Sequence, residues 1–132
     1  MQWHLAKPLV VCFSLLVVSS QVDSGKGSFD ILNNTNLRHG DIQKDDFKLP
    51  NGTSHAAGIS ACSKFCDSHA DCTAWVLVMD EARPRCAIKG AASQWCLPSE
   101  SDACSGCDGG PASCRCTAGI KDGTAPQPCS GK

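Results

Sequence analysis

The chain has 132 residues, about one domain's worth, with 13 acidic against 12 basic side chains and a formal charge of −1. So even a balance, without a basic stripe or a polybasic cluster, argues against a nucleic-acid surface or an anionic-membrane anchor built on charge. Eleven cysteines in so short a chain point instead to covalent stapling in an oxidising compartment.

The first stretch carries Lys7, an unbroken apolar run from Leu9 to Val18, and the small residues Ser19 and Ser20, so 1–20 reads as a secretory signal peptide. The run falls short of the roughly 20 apolar residues that a membrane span needs, and nothing later resembles one. The exported chain, starting at Gln21, keeps all 13 acids and 11 of the 12 bases, a formal −2. Cys12 leaves with the signal. The ten cysteines that remain are Cys62, Cys66, Cys72, Cys86, Cys96, Cys104, Cys107, Cys114, Cys116 and Cys129, an even set that predicts five disulfides. Two sequons, Asn33-Asn34-Thr35 and Asn51-Gly52-Thr53, make Asn33 and Asn51 candidate glycosylation sites.

Residues 21–28 are polar and aperiodic, a flexible lead. Phe29-Asp30-Ile31-Leu32 alternates as a first strand would, and from Asn33 to Pro50 the apolar spacing suits only short strands and loops. Pro50-Asn51-Gly52 signals a turn, with a loop from Thr53 to Gly58. Ser60 can then cap a helix in which Ile59, Cys62, Phe65 and Cys66 share one side, while Ser63, Lys64 and Asp67 face away. Trp75 to Met79 is the strongest strand, apolar on both faces as a central strand should be. Asp80 to Pro84 turns the chain into a returning strand, Arg85 to Lys89. Beyond Gly90 the composition changes to Ser, Gly, Ala and Pro with six cysteines, a region that can be ordered only by disulfides and by leaning on what precedes it.

The run Cys62-x3-Cys66-x5-Cys72-x-Ala74-Trp75, the apolar strand and Cys86-x-Ile88-Lys89 together resemble the PAN/apple domains. Gly40-Asp41-Ile42 before them and Ala118-Gly119-Ile120-Lys121 after them extend the likeness over 29–121, with a cysteine-rich insertion at about 91–117 and a tail at 122–132. The resemblance implies a small disulfide-rich α+β fold, a curved antiparallel sheet packed on one short helix. It also implies the pairs Cys62–Cys86 and Cys66–Cys72. The family's outer disulfide has no counterpart here, which leaves Cys96, Cys104, Cys107, Cys114, Cys116 and Cys129 to pair among themselves in any of 15 ways.

Cys104-x2-Cys107 has redox spacing, and with Cys114 and Cys116 it could offer zinc four thiolates, but a Gly/Ser loop in an exported chain favours structural disulfides. Neither a catalytic constellation nor a metal or other cofactor is expected. His69 suits a helix C-terminus, where a cation meets the dipole. Trp95 either stacks on a ligand from its loop or covers the edge of a thin core, and the second reading is preferred. The family resemblance implies a binding module for extracellular protein or glycan, in adhesion or matrix. Its candidate contacts are Asp41, Lys44, Lys48, Arg83, Arg85, Lys89 and Trp95, on an exposed sheet face and nearby loops. The rival readings are a toxin-like or inhibitor-like effector acting through 96–129, which truncation after Ala91 would test, and a purely structural matrix component.

Overall fold

A computed structural model describes residues 28–43, 46–80, 83–105, 107 and 114–130. The expected signal peptide, most of the lead, Lys44 and the stretch 108–113 lie outside the described residues. Among the described residues are one α-helix, α1 (His55–Asp67), a short 3-10 turn at Glu100–Asp102, and five strands, β1 (Phe29–Asn33), β2 (Phe47–Lys48), β3 (Ala74–Val78), β4 (Arg85–Lys89) and β5 (Cys116–Lys121). They form a single antiparallel sheet in the order β1-β5-β3-β4-β2. The molecule is thus a small disulfide-rich α+β domain.

Strand alternation sends successive side chains to opposite faces, and both faces are used. Trp75 and Leu77 of β3 and Cys86 and Ile88 of β4 meet Cys62 and Cys66 of α1, with Leu49 and Cys72 completing this layer. On the other face Ala74, Val76 and Val78 of β3 and Cys116, Ala118 and Ile120 of β5 are covered by Leu37 and Trp95. All five residues of β3 are buried, which accounts for the lack of a polar face in its sequence.

The helix begins earlier than its pattern suggests. Ser54, not Ser60, is the N-cap, its hydroxyl accepting from the Ala57 amide at 3.1 Å, so most of the expected loop 53–58 is helical. The misleading residue is Gly58, a poor helix former by propensity. It is buried against β3, and a Cβ there would lie 2.8 Å from a Leu77 methyl. Cys62 is bonded to Cys86 and Cys66 to Cys72, which clamps the helix to β4 and to the entry of β3.

The sheet face opposite the helix is not open, contrary to expectation. Segment 35–38 crosses it, with the Thr35 amide donating to the Cys116 carbonyl at 3.0 Å, Asn36 to Ala103 at 2.7 Å, and Arg38 and Cys96 exchanging bonds in both directions. The C-terminal region adds disulfides Cys96–Cys129, Cys104–Cys114 and Cys107–Cys116. Cys104 and Cys107 are therefore bonded to other partners and not to each other. The closing strand starts at Cys116, two residues before Ala118, where the family resemblance put it.

Candidate functional site

Most of the residues expected to bind a ligand are committed to the scaffold. Lys89 is buried, its Nζ 2.6 Å from an Asp41 carboxylate oxygen, because β4 places it under segment 40–42. Burying an ammonium without a partner is costly, so the carboxylate that satisfies it is part of the fold. Trp95 is 2% exposed, and its indole N–H lies 2.9 Å from the Thr73 hydroxyl and 3.2 Å from the Gly90 carbonyl. Lys89 therefore presents no solvent-facing surface for a ligand, and Trp95 covers the core, as its preferred reading has it. Arg85 reaches Asp46 at 3.2 Å and Asp80 at 3.8 Å, bridging β2's approach to the hairpin turn. Lys48 and Arg83 are exposed at that same edge, where Lys48 stands opposite Arg85 in register. Lys44 lies outside the described residues.

At the opposite edge, where β1 and β5 meet the start of α1, the surface forms a groove of about 570 Å³. Asn33, Asn34, His55, Met79, Cys114, Arg115 and Thr117 line it. Each is there for a local reason. Asn33 ends β1 opposite Thr117 of β5, and Asn34 turns the chain with a φ of 53°, a left-handed conformation that asparagine tolerates. His55 is the first residue of α1, placed by the Ser54 cap. Met79 follows β3, held by the hydrogen bond its backbone N–H donates to the Arg115 carbonyl at 2.8 Å. His55 Nε2 lies 2.8 Å from the Thr117 hydroxyl, an arrangement in which either group can donate according to the imidazole tautomer.

This lining holds two amides, an imidazole and a guanidinium beside the apolar surfaces of Met79 and the Cys114 disulfide, with the Thr117 hydroxyl engaged by His55. No carboxylate lines the groove among the described residues. The His55–Thr117 bond superficially resembles a base–nucleophile pair, but Thr117 is 4% exposed, which keeps its oxygen from a substrate. Hydrogen-bonding recognition of a ligand rich in hydroxyls or amides is the chemistry that the groove can perform.

In the sequence, Asn33 stands out only as a sequon, and His55 falls within an expected loop. Thr117 is 62 positions from His55, and no local pattern joins them. No family model, curated protein or solved structure matches the chain.

Proposed function

We propose that this chain is an exported recognition module of PAN/apple type that binds extracellular protein or glycan, in adhesion or matrix, through the groove at Asn33, Asn34 and His55. The observation that carries the reading is the groove itself, a concave surface with convergent donors and acceptors next to an apolar patch. Five disulfides are compatible with an extracellular protein, and no helix among the described residues is long and apolar enough to cross a membrane. The PAN/apple assignment is supported by an α-helix cross-linked to a hairpin and packed on an antiparallel sheet.

The test is a glycan array followed by pull-down from extracellular fluid, run with the full chain and with His55→Ala. Loss of a hydrogen bond at the contact is expected to weaken retained ligands by about tenfold, the equivalent of roughly 1.4 kcal/mol. Undiminished retention by His55→Ala would remove the groove from the reading, and empty results from both captures would remove the recognition module.

A further inference from the structure

We propose that Asn33 carries an N-linked glycan whose inner sugars lie in the groove, so that the chain's own saccharide covers the surface and an outside ligand must displace it. The inference rests on the exported reading above. It is carried by the placement of the sequon, which the fold joins to the groove. Asn33 is exposed at the end of β1 and lines the groove with His55, Met79 and Thr117. A sugar on its amide would meet the Asn34 side chain and the His55 imidazole as hydrogen-bonding partners, with Met79 as an apolar contact for its C–H face.

The rest of the sequon fixes when attachment can occur. Thr35 is 8% exposed in the folded chain, its hydroxyl 2.9 Å from the Asn33 carbonyl and its amide bound to Cys116. A transferase that must engage the tripeptide in extended form is therefore excluded once β1 has paired with β5. Topology supplies the interval, since the partner of Asn33 in the register is Thr117, made long after the sequon. In the transfer, the Asn33 amide nitrogen attacks the anomeric carbon of a lipid-pyrophosphate-linked oligosaccharide. A C–N bond forms as the C–O bond to the pyrophosphate breaks, the lipid pyrophosphate leaves, and the amide nitrogen gives up one proton, with no change in oxidation state.

The second sequon is an internal control. Asn51 is exposed in the turn before α1, beside Gly52 at φ +81°, and does not line the groove. A glycan there has no bed at this site.

The full chain is to be expressed in a eukaryotic secretory host, collected from the medium and mapped by peptide mass spectrometry. Once 1–20 is cleaved, Met79 is the sole methionine, so uptake of one oxygen from hydrogen peroxide reads how well the groove is covered. The expected result is a glycan on Asn33. Met79 oxidation is expected to be several-fold faster in Asn33→Gln, and in folded wild-type protein stripped of glycan enzymatically, than in untreated wild type. Asn51→Gln is expected to match wild type. A secreted chain with bare Asn33, or equal oxidation rates with and without the glycan, overturns the inference alone. A chain retained in the cytosol overturns the exported reading and the inference together.

Discussion

The pair Lys89 and Asp41 shows how a residue chosen for its charge can prove to be part of the core. The Lys89 side chain is 5% exposed and that of Asp41 52%, so the ammonium is the member that depends on its partner. Asp41→Asn is expected to destabilise by about 1–3 kcal/mol, toward the lower end because the carboxylate is half in water, whereas Lys89→Met is expected to cost less. Parallel chemical denaturation of the two variants checks the order, and the reverse order would count against a buried ammonium. A second residue-scale case is Gly119, where an added Cβ would stand 2.2 Å from Trp75 Cε2. Gly119→Ala is expected to lower stability by about 1–3 kcal/mol through overpacking, read as a lower melting temperature. The sequence contains both residues of each pair but not their adjacency, which β-pairing and a loop crossing create. Asp41 in a turn and Lys89 near a strand end look like surface charges until the chain has folded over them.

For whole elements, dense or alternating apolar patterning was the legible signal. β3 and the hairpin with β4 follow from a dense apolar run, a turn and an alternating return, and the structure has them at Ala74–Val78 and Arg85–Lys89. α1 was legible in its second half only, because Gly58 serves a close approach to Leu77 that no local propensity encodes. β2 is two residues long and was visible only as a short-strand region. The helix depends on its covalent attachment to β4, since a two-to-four-turn helix is marginal in water by itself. Opening Cys62–Cys86, which spans 24 positions, is expected to cost about 3.5 kcal/mol on the chain-entropy account. That is a large share of the roughly 5–15 kcal/mol by which small domains are stable, so Cys62→Ser is expected to reduce secretion sharply. Unchanged yield with an unchanged melting curve would show that the helix is held by packing alone.

Across the whole molecule, the C-terminal third is not an appendage. β5 lies between β1 and β3, and Trp95 and Cys116 belong to the core layer opposite the helix. Truncation after Ala91, which the sequence suggests as a way to isolate the tail, therefore removes an interior strand and leaves β1 without its partner. The truncated chain is expected to lack a cooperative unfolding transition by circular dichroism, and a sharp transition would contradict the observed topology. The family resemblance implied the closing Gly-aliphatic strand but the sequence did not reveal its position in the sheet, because register is set by long-range pairing. The groove was illegible for the same reason: β1, α1 and β5 each bring one of its polar groups, and only strand order brings Asn33, His55 and Thr117 together.

The two tryptophans of the described residues stand on opposite sides of the sheet, in different electronic surroundings. The Trp95 indole N–H has oxygen partners, whereas the Trp75 Nε1, equally hidden from water, has no hydrogen-bond partner and packs over Gly119. Hydrogen bonding deshields an indole proton, so the pair supplies two separable nuclear magnetic resonance signals, one for each layer. The domain thus contains its own two-channel magnetic probe: a disturbance confined to the helix side would register at Trp75, and one confined to the disulfide-rich side at Trp95.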